Sequence, residues 1–424
     1  MARQLRTTVA AAIAAIALLA AGCGSASPPR PPSPGPGRLL RGVVVNEPPV
    51  SPAAYGTADT RFGLDVLAAM CRQRPDANVV LSPASLAAGL GMAYLGARGS
   101  TAQAMAAVLH LPATGSALEA GLQARSAALR RLDRPGVTVA AADQVWADPS
   151  LIPSASYLDA VATAYDGAGL RQVPLLDHPD LAARQIDAAI AAATAGHITG
   201  LLTPGSLQGV GWVLTDALYL KARWASPFDP AQTYAGPFTT AAGGRVPARF
   251  LSGAPFASAS AGGWTAVSLP YQGGQLAMIA LLPGSGPAVC PDLPDATLNA
   301  LTASLAAGRD EVGVALPKVS LSSSANMMNL LGRLGMGVAF GPGADFTGLS
   351  PKAGSIGLVV QAATLRVDEQ GTVASAATAV GVLPGAIAMP RQTIVFNRPY
   401  LLLVTDTATG EPLFLARVAN PASP

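Results

Sequence analysis

The chain has 424 residues, half of them apolar and only 12% charged, with a formal net charge of +3. So many apolar residues can bury a large core. The small net charge, without any dense Lys/Arg cluster, argues against a nucleic-acid surface. Lysine is confined to Lys221, Lys318 and Lys352.

Arg3 and Arg6 precede an apolar stretch, Val9 to Ala21, that is too short to span a bilayer but fits a secretory signal. The sequence Leu19-Ala20-Ala21-Gly22-Cys23-Gly24 resembles the lipobox of bacterial lipoproteins, with Ala20 standing where a leucine is usual. Two outcomes fit: lipidation of Cys23, which would anchor the protein to a membrane, or ordinary cleavage near Ala21. The reading adopted is an exported, cell-surface or secreted bacterial protein with a signal over residues 1–22. The anchor cysteine and a linker then occupy 23–54, and the folded domain 55–424. The Ser/Pro/Gly-rich linker reads as a semi-extended tether. Export permits a disulfide between Cys71 and Cys290, but they have no motif spacing and no CxxC occurs, so two buried free thiols are the favoured reading.

Helical spacing of Phe62, Val66, Leu67 and Met70 predicts a first helix, and Ser82-Pro83 opens a second through Leu86, Leu90 and Tyr94. Gln103–Leu109 and the Ala-rich Leu181–Ala195, stopped at Gly196, predict two more. Strands are predicted over Val213–Leu220, Gln275–Leu282, Val312–Leu316 and Leu358–Val367. Tyr400–Val404 and Leu413–Val418 flank Asp406–Gly410 as a hairpin. Helices dominate the first half and strands the second, which argues for an α+β fold.

Catalytic motifs are missing: there is no GxSxG, HExxH, P-loop, GxGxxG or SxxK. His110, His178 and His197 read as surface or loop residues, and Arg125, Arg130 and Arg131 as a solvated helix face. The segment that stands out is 367–391. From Gly371 to Leu383 it is made of small residues and free of proline, so every amide there can join a sheet ladder. Pro384 ends that capacity. Small side chains also suit a strand entering between two existing ones, where bulk would overpack.

From Asp59 to Pro421 the chain resembles the serpin family, block after block in the family's order. The blocks include Asn78–Leu86, Tyr94–Thr101, Thr215–Trp224 with Pro227-Phe228-Asp229, Leu269-Pro270-Tyr271 and Met278–Pro283. Leu316-Pro317-Lys318, Leu334-Gly335-Met336, Ala344–Ser350, Asp368–Thr372, Phe396–Tyr400 and Gly410–Pro421 follow. The resemblance implies three β-sheets, eight or nine helices and an exposed reactive-centre loop. It also implies a function: inhibition of serine-type endopeptidases by a suicide-substrate route. The cut loop inserts as a strand in the main sheet and traps the acyl-enzyme.

On this resemblance the hinge comprises Glu369, Gln370, Gly371, Thr372, Val373, Ala374, Ser375, Ala376, Ala377 and Thr378. Lys318 matches the lysine that pairs with the hinge glutamate, Trp224 the tryptophan beneath the start of insertion, and Ser82 and Ser85 the mid-sheet serines. Three positions depart from the pattern. Asp216 stands for an asparagine and Gln361 for a histidine, so the sheet-opening network must differ, and Ala189 replaces a helix tryptophan. Counting forward from Glu369 puts the reactive bond at Gly385–Ala386, the preferred assignment, and counting back from Phe396 puts it at Ala388–Met389. Either implies elastase-like, subtilisin-like or chymotrypsin-like target proteases. The expected protein is a monomer, not an enzyme, with no cofactor, metal or nucleic-acid partner. The alternative is a non-inhibitory, serpin-like binding or carrier protein.

Overall fold

A computed structural model describes residues 35, 37–284, 290, 292–308, 310–372 and 392–423. In chain order the elements are β1 (Arg38–Arg41), α1 (Ala53–Gln73), β2 (Val79–Leu81), α2 (Pro83–Gly96), α3 (Gly99–Val108), α4 (Gly115–Arg130), β3 (Val137–Ala141) and β4 (Gln144–Ala147). Next come α5 (Ala155–Ala164), β5 (Gly169–Gln172), α6 (Pro179–Ala193), β6 (Trp212–Arg223), β7 (Tyr234–Thr239), β8 (Arg245–Ala261), β9 (Trp264–Pro270) and β10 (Leu276–Pro283). The last are α7 (Asp295–Ala307), β11 (Asp310–Pro317), β12 (Val319–Asn326), α8 (Met328–Leu331), β13 (Leu358–Val367), β14 (Gly371–Thr372), β15 (Thr393–Val395), β16 (Tyr400–Asp406) and β17 (Pro412–Val418).

The main sheet runs β1-β5-β4-β6-β14-β13-β12, with β3 also paired to β6. The other strands follow the order β15-β11-β8-β9-β10-β16-β17-β2, with β7 on β8. The expected three sheets are present, two of them continuous through β8. This 17-residue strand pairs with β7 and β11 along most of its length, and then hands its last residues, Ser258–Ala261, to β9. Eight α-helices, within the expected number, cover these sheets among the described residues.

Two local patterns place the core. α2 is apolar nearly all round and is therefore buried between the main sheet and β17, not laid on the surface. Its N-terminus is fixed by Ser82, whose hydroxyl accepts from the Ser85 amide at 3.2 Å, with Pro83 as the first helical residue. β6 is buried on both faces. Its Leu218 and Leu220 pack toward the second sheet, while Val213 and Ala217 meet Ala182, Ile186 and Ile190 of α6. That stripe on α6 repeats every four residues and covers the outer side of the sheet.

Three expectations are corrected. Cys71 and Cys290 are not free thiols: they form a disulfide, with Cα atoms 5.7 Å apart, across 219 residues of chain. It ties the end of α1 to the segment after β10. The tether is not free as far as residue 54. Arg38–Arg41 add an antiparallel strand to β5, pairing Arg38 with Gln172 and Arg41 with Gly169. Apolar residues there were hidden by their Pro/Gly-rich surroundings. Finally, Arg125 is not on a solvated face, although Arg130 and Arg131 are exposed. It is buried and pairs with Asp59 at 2.6 Å and with Glu411 at 2.7 Å, and donates to the Ala84 carbonyl at 2.6 Å. Its two carboxyl partners lie 66 residues before it and 286 after it, so no local spacing could reveal them.

Candidate functional site

β6 and β13 lie side by side in parallel only over their first halves, from Leu358–Val213 to Ala363–Leu218. Beyond that pair they part. The space at the far end is taken by β14, antiparallel to both: Gly371 pairs with Arg223, and Thr372 with Ala222 on one side and Val367 on the other. The main sheet is therefore a wedge, closed below and opened above by the first two residues beyond the turn.

The turn itself is held on every side. The Asp368 amide donates to the Gly371 carbonyl at 3.0 Å, and the Gln370 amide to the Asp368 carboxylate at 2.9 Å. The Trp224 indole N–H donates to the Asp368 carbonyl at 2.9 Å, and its amide to the Gln370 carbonyl at 3.0 Å. The Phe228 amide reaches the Glu369 carbonyl at 2.9 Å. Thr372 is fully buried, its hydroxyl 2.5 Å from that of Tyr271. Gly371 has φ +151°, and a Cβ on it would run into the Ala222 carbonyl oxygen, so only glycine fits.

Lys318 reaches both oxygens of Glu369, at 2.9 and 2.7 Å, and the Thr233 hydroxyl donates to one of them at 3.0 Å. Burial would raise the Glu369 carboxyl, but these donors, Lys318 foremost, hold it below the usual glutamate range.

Lower in the wedge, Gln361 faces Asp216 in register. Its amide nitrogen donates to Asp216 Oδ1 at 2.9 Å and to the Ser82 carbonyl at 2.8 Å. The Ser85 hydroxyl donates to Asp143 Oδ1. Burial pushes Asp216 well above the usual aspartate range, and nearby Asp143 adds to this, against the donors Gln361 and Ser85. Burial likewise pushes Asp143 up to about 7, against Ser85, Arg125 and the Ala217 backbone. The two departures from the expected pattern thus complement each other, the Gln361 amide donating to Asp216 Oδ1.

The structure brings together Trp224, Lys318, Glu369, Gln370, Gly371 and Thr372 at the top, and Ser82, Ser85, Asp216 and Gln361 at mid-sheet. Sequence reasoning missed Tyr271, Thr233 and Asp143. Tyr271 sat in a quoted block without a role, and nothing around Asp143 marked it. Ala189 is half-buried against the α6 cluster. Val373–Thr378, the bonds Gly385–Ala386 and Ala388–Met389, and Cys23 lie outside the described residues. Among the described residues no group of three or more acidic, His or Cys side chains is arranged for a metal.

Residues 57–421 match the family described as "Serpin (serine protease inhibitor)". The chain is 29% identical to the leukocyte elastase inhibitor of Bos taurus over 376 residues, which span 86% of this chain and 98% of that protein. It is 30% identical to Iris of Ixodes ricinus over 353 residues, 80% of this chain and 92% of that one. The native-state structure of tengpin, a thermophilic serpin, superposes with a TM-score of 0.78 at 22% identity, covering 90% of this chain and 97% of that one. The family match over nearly the whole domain, together with the wedge between β6 and β13, shows that the chain belongs to the serpin family.

Proposed function

We propose that this protein inhibits serine-type endopeptidases as a suicide substrate, with the loop after Thr372 as bait. The observation that supports the reading best is β14: the first residues of the hinge already pair with both strands of the wedge, between which the rest of a cut loop would continue. Continuing that ladder needs small, proline-free residues, and 373–383 are of that kind. The uncut protein is then held kinetically, short of its most stable arrangement. Glu369 and Lys318 latch the turn. Trp224 supports it. Ser82, Ser85, Asp216 and Gln361 resist opening below.

Gly385–Ala386, or failing it Ala388–Met389, offers a small or apolar residue to the protease's main pocket. The leukocyte elastase inhibitor likeness agrees with that preference. The test is incubation with elastase, chymotrypsin and subtilisin. A denaturant-resistant complex is expected, and the mass of the released C-terminal peptide identifies the bond. Cleavage by all three without a complex contradicts inhibition. An apolar groove of about 630 Å³ lined by α1, α7, β10 and β16 favours a carrier reading. A carrier would be cut without trapping.

The same proposal places the protein outside the cytosol, by the signal and lipobox at its N-terminus. The Cys71–Cys290 disulfide agrees with an oxidising compartment. Incorporation of a labelled fatty acid, lost in Cys23→Ala, tests the anchor.

A further inference from the structure

Asp143 lies in the short connection between β3 and β4. Ala141 of β3 pairs with Leu218, and Gln144 of β4 pairs with Thr215. Counting inward, with the Ala142 amide on the Ala217 carbonyl at 2.8 Å, sets Asp143 directly opposite Asp216. Gln361 is opposite Asp216 on its other side. The row Asp143, Asp216, Gln361 therefore crosses three adjacent segments of the main sheet, all on the face that packs on the start of α2. Two carboxyl groups side by side on a buried face cannot both ionise without strong repulsion.

The groups around them supply little relief. α2 offers the Ser85 hydroxyl and β13 the Gln361 amide, both neutral. Arg125 of α4 is the nearby cation, and Asp59 of α1 and Glu411, just before β17, already engage it. Tyr165, following α5, Tyr157 of α5 and Tyr55 of α1 are further titratable groups on this side, and burial keeps all three protonated. One guanidinium thus serves two nearer carboxyl groups, and charge on Asp143 beside Asp216 is left largely uncompensated.

We propose that Asp143 and Asp216 form a proton-holding pair whose ionisation loosens the contact between β6 and β13, so that the main sheet opens more readily as pH rises. The inference rests on the loop-insertion reading above and adds its control. Opening between β6 and β13 breaks the Gln361–Asp216 bond and admits water to Asp216. Water solvates a carboxylate far better than a neutral acid, so the open state favours the charged form. Both carboxyls are raised in the closed state, so their ionisation costs the closed state free energy between ordinary aspartate titration and about pH 7 for Asp143. At acidic pH the pair keeps its proton, and the sheet stays closed.

The test is the rate at which a synthetic peptide copying residues 371–383 anneals to the intact full-length protein, at about pH 5.5 and pH 8. The expected rate is roughly tenfold higher at the upper pH, the ratio that follows when the pair ionises about ten times more readily in the open sheet than in the closed one. Asp143→Asn and Asp216→Asn should each cut that ratio to about twofold or less. Infrared difference spectra between the two pH values provide an independent readout. A protonated carboxyl C=O band should disappear at high pH in the native protein and be weakened in Asp143→Asn. Annealing that occurs but is flat across pH, or a ratio unmoved by both substitutions, overturns this inference alone. Annealing absent at every pH overturns the insertion reading, and the inference with it.

Discussion

Trp224 lies flat against Tyr271, ring centres 4.5 Å apart and planes 13° apart, and the two side chains grip opposite ends of the hinge. Trp224 donates to the Asp368 carbonyl, ahead of the turn, while the Tyr271 hydroxyl bonds that of Thr372, beyond it. An isolated bridge, Trp224 to Tyr271, joins their backbones too. The hinge is therefore seated on one stacked aromatic unit.

Removing either polar handle while keeping the ring tests that seat. Trp224→Phe leaves the Asp368 carbonyl without its donor, and Tyr271→Phe leaves the Thr372 hydroxyl unpartnered in a buried place. Each is expected to destabilise the intact protein by about 1 kcal/mol. Denaturant unfolding of uncut protein measures it. The double substitution should cost less than the sum if the pair acts as a unit.

Gly371→Ala should expel the hinge without unfolding the domain. The added methyl meets the backbone of Ala222 and Arg223, which no rotamer can relieve. Far-ultraviolet circular dichroism should be unchanged, while proteolysis just after Glu369 should quicken by about tenfold, the equivalent of about 1.4 kcal/mol. On the proposed function, a protease assay should then show more of the protein cleaved per complex formed.

The Glu369–Lys318 pair is partly buried, its lysine the more exposed partner, and in water such a pair contributes about 0–1 kcal/mol. Its effect should therefore appear as a pH dependence of hinge position. Glu369 is held below its ordinary value, so its contribution is full above the ordinary glutamate range and is lost as pH falls through the lowered value. Trp224 emission should shift on acidification below about pH 4. Glu369→Gln should abolish that acid step.

Arg125→Met should be among the most damaging single changes in the domain. It leaves Asp59 and Glu411 buried without their cation, and breaking such a set by removing one partner costs about 3–5 kcal/mol. Replacing all three by apolar residues should recover much of that loss, measured by thermal unfolding.

Reducing Cys71–Cys290 should lower the unfolding midpoint. Closing 219 residues of chain restricts the unfolded state by up to about 5 kcal/mol in the chain-entropy picture. Cys71→Ala should reproduce the effect of reductant, and reductant should then do nothing further.

Much of the fold was legible because its signals are local. β13 was predicted with its observed bounds, Leu358–Val367, and the terminal hairpin nearly so, since continuous apolar runs bounded by turn residues define such strands. What was illegible depends on distant partners. β8, a 17-residue strand with mixed polar residues, shows no clean alternation because it serves two sheets in turn. β1 owes its existence to a free edge on β5. The Arg125 cluster and the disulfide join segments more than 60 residues apart. In the site, the resemblance named Trp224, Lys318 and Glu369, which the structure places around one turn, and Ser82, Asp216 and Gln361, which it places together at mid-sheet. Asp143 was not named, since its meaning comes only from standing opposite Asp216.

The direct test of the account is the thermal stability of the intact protein against the same protein nicked within 383–391. Completing the β14 ladder adds about ten backbone hydrogen bonds on each side and gives up those of the six β6–β13 pairs, each bond worth about 0.5–1.5 kcal/mol net. The nicked form should therefore melt at least roughly 10 °C higher than the uncut form. A nicked protein that melts at the same temperature as the intact one, or below it, would contradict loop insertion as the source of function.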